Sequence, residues 1–148
     1  MLRGLPPLLT ADLLHALASM GHGDTVAVVD ANFPAAATGR RTIELAGASS
    51  PETLDAVLAV LPLDTFVAPA ALTMEVVDDP AAVPEPVADF AAVFTEHGLG
   101  DWEIGHLPRA AFYQRAREAF AVVRTGELRP YGNILLTKGV IHGYEPRR

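Results

Sequence analysis

A histidine and an aspartate flank the first strongly apolar segment and could together do acid–base chemistry. His22 lies in the turn 21–24, where two glycines leave its ring accessible to a ligand. Asp30 follows the apolar run 25–29, and ligands of open α/β sheets collect at the carboxyl ends of strands. A histidine titrates near neutral pH, so it can give and take a proton. A helix stop and a capped turn are the alternative interpretation of both residues.

Arg109 is a cation in the first turn of a helix that Pro108 is expected to open. The helix dipole favours negative charge at that end, so a bound ligand or partner would explain an arginine there. An ordinary exposed arginine is the alternative.

Tyr131 and Asn133 stand on either side of Gly132, directly before the apolar segment 134–136. They offer a phenol, an amide and close backbone groups, which is suitable equipment for binding sugar hydroxyls. The alternative is a polar loop that leads into an edge strand.

Composition narrows the class of protein. The chain has 148 residues, about one domain's length, so we expect one domain over residues 1–148. The net charge of −7 argues against nucleic-acid binding, which needs a basic surface. There are no cysteines, which excludes disulfides, thiol catalysis and thiolate metal sites. With no signal peptide and no apolar stretch long enough to span a membrane, we expect a cytoplasmic protein without membrane partners.

Apolar spacing predicts alternating helices and strands. Helices are expected over 10–20, 50–61, 87–98 and 108–126, with Thr10 and Ser50 as caps. Strands are expected over 25–29, 42–45, 65–67, 72–77, 102–104 and 133–136. This alternation is typical of an α/β fold, a sheet with helices packed on its faces.

Taken together, the segments resemble the fucose mutarotase and ribose pyranase family. The resemblance covers nearly the whole chain, and the order and spacing of its motifs make it specific. The motifs are 7–9, 20–24, 30–34, Phe112-Tyr113, 131–136 and 138–140.

The resemblance implies a single three-layer α/β/α domain in a ring-shaped homo-oligomer, usually a decamer of two stacked pentamers, with sites near subunit contacts. By position, His22 matches the family's catalytic proton donor. Asp30, Arg109, Tyr131 and Asn133 match sugar-binding positions. Arginine at 109 is the fucose-type residue, whereas ribose-type members tend to carry histidine, and His106 lies nearby in sequence.

The resemblance implies that the protein interconverts the anomers of L-fucose by opening and closing the sugar ring, with no cofactor. We hypothesise that His22 protonates the ring oxygen while Asp30 orients its imidazole or binds a hydroxyl. Tyr131 is a candidate partner for the anomeric hydroxyl, and Arg109 and Asn133 would hold other hydroxyls.

Three alternatives remain at this point. The protein could be a D-ribose pyranase, or a monosaccharide-binding module without catalysis. A metalloenzyme could use His22 and Asp30 with His106 or His142, although no short-range ligand pair such as HExxH is present. A nucleotide-binding enzyme is disfavoured, because neither a P-loop nor a Gly-x-Gly-x-x-Gly pattern occurs.

Overall fold

Local sequence signals set the starts of two helices in the computed structural model, which describes residues 2–143. The Thr10 hydroxyl accepts the Leu13 N–H at 3.3 Å and caps the first helix, as predicted. The helix that begins at Ser50 is capped by Ser49, where the spacing predicts Ser50. Ser49 is the N-cap because its hydroxyl accepts the Glu52 N–H while the Glu52 carboxylate accepts the Ser49 N–H, which is a reciprocal capping box.

The described chain has five helices and six strands. The helices are α1 Ala11–Ser19, α2 Ala35–Thr38, α3 Ser50–Leu58, α4 Glu85–Glu96 and α5 Arg109–Glu118. The strands are β1 Thr25–Val29, β2 Thr42–Leu45, β3 Ala71–Met74, β4 Ile104–Leu107, β5 Ala121–Thr125 and β6 Ile134–Thr137. Over residues 2–143, no helix combines the length and apolar character that crossing a membrane requires.

The six strands form one sheet in the order β2-β5-β1-β6-β3-β4. β1 pairs with β5 in parallel and with β6 in antiparallel fashion. Four of its five residues are buried, because both faces of the sheet are covered. Val26 and Val28 belong to one apolar cluster, and Ala27 and Val29 belong to the other.

Each cluster is completed by its own helices. Buried side chains of α1, α3 and α4 contribute to the first, and those of α2 and α5 contribute to the second. The predicted three-layer α/β/α domain is therefore confirmed.

The connection between the last two strands passes over the carboxyl end of β1. β5 and β6 are the two neighbours of β1, and they run in opposite directions. Residues 126–133, here called the β5–β6 loop, must therefore cross the end of β1 where Asp30 lies. Topology thus brings Tyr131 and Asn133 beside Asp30.

The prediction of one helix over 108–126 is wrong in its second half. α5 ends at Glu118, and Ala121–Thr125 is the strand that pairs with both β1 and β2. Its two adjacent valines and its threonine pack well on a pleated surface, and two neighbouring strands are available to pair with it. The expected strand over 65–67 is also absent, since Phe66 and Val67 lie exposed in bends.

Candidate active site

A polar pocket opens at the carboxyl end of β1. Its volume is about 300 Å³, at the lower end of the range for pockets that hold small ligands. The lining residues are Asp30, Asn32, Phe33, Met74, Arg109, Tyr113, Pro130, Tyr131 and Asn133. This cavity, here called the Asp30 pocket, gathers four of the five site residues predicted from the sequence.

Asp30 and Asn133 form a buried pair at its base. The Asn133 side chain accepts the Asp30 N–H at 2.9 Å and donates to Asp30 Oδ2 at 3.1 Å. Asp30 Oδ1 accepts the Asn32 N–H at 3.0 Å. Each carboxylate oxygen can accept more than one hydrogen bond, so Asp30 keeps capacity for a sugar hydroxyl.

The environment of Asp30 raises the pKa of its carboxyl. Burial is the main cause, because it disfavours the charged form, and the negative charge of Glu127 adds to it. Hydrogen bonds from Asn32, Asn133 and Phe33 oppose the rise without cancelling it.

Tyr131 is placed by an unusual backbone conformation. Its φ is 63°, in the left-handed region that costs a residue with a side chain about 1–3 kcal/mol. Its hydroxyl oxygen accepts the Val77 N–H at 3.2 Å. The phenol therefore still has its proton and a lone pair for a ligand.

Arg109 reaches the pocket from the first residue of α5. Its guanidinium carbon lies 5.5 Å from the centre of the Tyr113 ring, and Tyr113 stacks on Phe33 with ring centres 5.0 Å apart. Among residues 2–143 no carboxylate pairs with Arg109. An unpaired cation at a helix start is what the sequence indicates, and its donors remain available for hydroxyls.

His22 lies at the other end of β1. It precedes the amino end of that strand, whereas Asp30 follows the carboxyl end. The five residues of β1, at about 3.3 Å each, place roughly 16 Å of strand between the two positions. His22 instead lines a mainly apolar groove of about 480 Å³ with Lys138 and Ile141. The hypothesis that Asp30 orients His22 is therefore wrong within one subunit.

Asp64 is the carboxylate that holds His22. His22 Nε2 lies 3.1 Å from Asp64 Oδ1, and the same oxygen accepts the Phe66 N–H at 3.1 Å. Burial raises the pKa of Asp64, but the hydrogen bonds from Phe66 and His22 outweigh it and leave the pKa below its ordinary value. Because an ionised carboxylate only accepts, Nε2 carries a proton and Nδ1 is the nitrogen left for a substrate.

The geometry also bears on the metal alternative. His22 and Asp30 are at opposite ends of β1, and His106 binds the Thr73 hydroxyl at 2.6 Å on the β3–β4 edge. Over residues 2–143 there is no group of three or more side chains placed to hold a metal ion. Arg109, and not His106, lines the Asp30 pocket.

Sequence reasoning missed Asp64 and left Tyr113 undecided. Forty-two residues separate Asp64 from His22, so no local spacing links them. The available signal is a carboxylate next to the apolar run 61–63. For Tyr113, the signal is its place one turn after Arg109 on α5, which puts the two on the same helix face.

Comparison with known proteins places these features in a family. The model described as the RbsD / FucU transport protein family matches residues 3–141. Fucose mutarotase of Bos taurus is 43% identical over 146 residues, which cover 95% of this chain and 94% of that protein. Fucose mutarotase of Streptococcus pneumoniae, solved in complex with L-fucose, superposes with a TM-score of 0.89 and 37% identity, covering 95% and 99% of the two chains. RbsD of Bacillus subtilis complexed with D-ribose has a TM-score of 0.73, 23% identity and the same coverage, a likeness of fold. The chain belongs to the RbsD / FucU family, as its sequence motifs predict.

Proposed function

We propose that the protein is an L-fucose mutarotase, an isomerase that interconverts the α and β anomers at the anomeric carbon and so supports monosaccharide use. The observation that carries this is the Asp30 pocket, which gathers a buried carboxylate, an amide, a phenol and an unpaired guanidinium beside an apolar wall. The relatives that share most of the chain are named fucose mutarotases.

The chemistry requires proton transfer at two oxygens. Ring opening takes a proton from the anomeric hydroxyl and gives one to the ring oxygen, the free carbonyl turns, and the reverse transfers close the ring. Tyr131 has a hydroxyl free to exchange a proton at the anomeric oxygen, and protonated His22 would serve the ring oxygen through Nδ1. Asp30, Asn133 and Arg109 would hold the remaining hydroxyls.

Assembly of the subunits would bring His22 and the Asp30 pocket together. Within one chain, His22 is too far from the Asp30 pocket to act there. Exposed apolar side chains lie beside both parts of the proposed site. Phe66 and Ile141 are near His22, and Val77 and Leu128 are near Tyr131. Two different patches that cover one another in a head-to-tail contact generate a ring when the rotation between subunits closes. We propose that such a ring, a decamer of two pentamers, places His22 of one subunit at the pocket of the next.

Arg109 favours fucose over ribose within this proposal. The resemblance implies arginine at this position in fucose-type members, and the side chain lines the pocket. D-ribose pyranase activity is the alternative function. We place the enzyme in the cytoplasm on its acidic, cysteine-free composition.

Saturation-transfer NMR on L-fucose, and separately on D-ribose, tests the function directly. Faster exchange between fucose anomers with catalytic amounts of protein is the expected result. Exchange mainly between ribose pyranose and furanose forms would assign the pyranase activity instead. Fucose binding without faster exchange would identify a non-catalytic binding module.

His22→Ala and Tyr131→Phe extend the test to the residues. Each should lower the exchange rate by about 10²-fold or more, because each removes a positioned acid–base group. His22 is exposed and Asp64 keeps the Phe66 N–H, so the His22→Ala protein should remain folded, with a melting temperature lowered only by the loss of the hydrogen bond to Asp64. A fully active His22→Ala protein would remove His22 from the mechanism.

A further inference from the structure

An ion pair between buried Glu127 and half-buried Arg129 stands at the beginning of the β5–β6 loop. Glu127 is 4% exposed, and Arg129 grips both of its carboxylate oxygens, Nε to Oε1 at 2.9 Å and Nη2 to Oε2 at 3.0 Å. The Arg129 backbone N–H also donates to Oε1 at 3.0 Å. The remaining Arg129 nitrogen, Nη1, donates to Glu85 at 3.0 Å and to Asp89 at 2.8 Å, so the loop is tied to α4.

The same glutamate reaches the far side of Tyr131. A Cβ added to Gly132 would lie 2.7 Å from Glu127 Cγ, so the backbone after Tyr131 packs directly on this side chain. The Glu127 carbonyl oxygen accepts the Ala31 N–H at 2.9 Å, which joins the loop to the turn that carries Asp30. Glu127 thus contacts the chain on both sides of Tyr131 and touches the Asp30 turn.

Stability alone explains this arrangement poorly. One guanidinium donates to three carboxylates, two of which are partly or largely exposed, and exposed ion pairs contribute little to stability. Tyr131, two residues after Arg129, has a left-handed backbone that persists only where the surroundings over-determine it. The cluster supplies those surroundings.

We propose that Glu127 and Arg129 are positioning residues that hold Tyr131 with its phenol in the Asp30 pocket. They act on proton transfer and leave sugar affinity nearly unchanged. The catalytic part rests on the proposed function, because it requires that Tyr131 carries a proton.

Kinetics of Arg129→Met and Glu127→Gln test the catalytic part. We expect kcat for fucose exchange to fall about tenfold or more while KM changes less than about threefold, since the hydrogen bonds that join Asp30 to Asn133 involve neither substituted side chain. In a Tyr131→Phe background the same substitutions should cost less than about twofold more, because they act through the phenol. Arg129→Lys keeps the positive charge but cannot make the bidentate contact with Glu127, so its fall in kcat should be intermediate.

Hydrogen exchange of the Val77 amide gives a readout independent of activity. This N–H donates to the Tyr131 hydroxyl, so Tyr131→Phe should speed its exchange. The exchange rate in Tyr131→Phe is the value expected when this hydrogen bond is lost completely. Arg129→Met and Glu127→Gln should speed it as well. Arg124→Met is the matched control, because it breaks a comparable pair, Arg124 with Glu44 at 3.0 Å, that joins β5 to β2 and includes no loop residue.

The outcomes separate cleanly. The proposal would be overturned if folded variants showed an unchanged exchange rate for the Val77 amide. It would also be overturned if their fall in kcat were as large in the Tyr131→Phe background as in wild type. If Arg129→Met fails to fold, the neutral double variant Arg129→Met with Glu127→Gln answers the same question. A wild-type protein that moves no anomers would refute the proposed function, while Val77 exchange would still decide the positioning role.

Discussion

At the scale of single residues, the pairing of His22 with Asp64 decides which nitrogen can do chemistry. Asp64 is 2% exposed and occupies Nε2, while the ring of Phe66 lies 5.2 Å away and tilted against the imidazole. Nδ1 is therefore the nitrogen left to exchange a proton with a substrate.

Asp64→Asn should therefore lower the exchange rate more than it lowers stability. An amide keeps an oxygen for the Phe66 N–H but loses the negative charge beside His22. We expect a fall of about tenfold or more in kcat, measured by NMR exchange at pH 7. Asp55→Asn is the matched control, because it changes the exposed pair of Asp55 with His97, at 2.8 Å, and should leave kcat alone.

Asp30→Asn should change how stability depends on pH. Burial raises the pKa of Asp30 in the folded protein, so folding favours its protonated form. Wild type should then lose stability relative to Asp30→Asn as pH rises from the ordinary value of 3.8 through the folded-state pKa. Urea unfolding of both proteins at a series of pH values measures this difference.

Glu127→Gln provides a comparison of opposite sign. Arg129 lowers the pKa of Glu127 in the folded protein, so the ionised form is stabilised. Wild type should gain stability relative to Glu127→Gln above the ordinary value of 4.5 and lose that advantage as pH falls through the folded-state pKa. Equal pH slopes for both variants would contradict the two assignments.

Four site residues were predictable because each lies directly at the end or the start of an element that the apolar pattern predicts. Asp30 after β1, Tyr131 and Asn133 before β6, and Arg109 at the start of α5 all gather in one pocket. Asp64 was not predictable, since its contact with His22 depends on tertiary packing alone.

At the scale of elements, the β5–β6 loop depends on a close approach at its first residue. A Cβ on Gly126 would collide with the Ala46 carbonyl in the turn after β2, and the Gly126 N–H donates to the Ala48 carbonyl at 2.7 Å. A glycine is required there because two backbones meet.

Gly126→Ala should destabilise the protein by about 1–3 kcal/mol, the usual cost of an overpacked contact. The loop would shift with the turn, so the exchange rate should fall too. Gly47→Ala in the same turn is the control, because nothing lies within 4 Å of its added Cβ. Thermal unfolding of both variants checks the difference, and equal melting temperatures would contradict the steric argument.

Strand β5 shows where pattern reasoning fails at this scale. Residues 119–123 continue the apolar spacing of α5, with Ala119, Phe120 and Val123 at helical intervals. Only the presence of β1 and β2 on either side makes 121–125 a strand. Most of the other elements were predictable because turn residues or caps mark their ends.

At the scale of the whole molecule, the proposed ring, in which neighbouring subunits share a site, makes a distinctive prediction about mixed assemblies. Inactive His22→Ala and inactive Tyr131→Phe subunits, co-expressed in equal amounts, should regain about a quarter of wild-type activity, because each half of a site between neighbours is intact half of the time.

Rings of either variant alone provide the baseline for this measurement. Mixing the two purified proteins without dissociating them should restore nothing if the rings are stable. No recovery after co-expression, with mixed assemblies verified by mass spectrometry, would mean that His22 and Tyr131 do not act together at a site between neighbouring subunits.

Lys138 ties the first helix to the last strand. Its ammonium donates to the Leu17 and Met20 carbonyls at the end of α1, from a point 121 residues further along the chain than Leu17. Its backbone carbonyl also accepts the Gly23 N–H, and its backbone N–H donates to the Asp24 carbonyl, in the turn that joins His22 to β1. During synthesis on the ribosome, the turn that holds His22 therefore cannot make these contacts until β6 and Lys138 have emerged, so an early part of the site depends on a late part of the chain for its support.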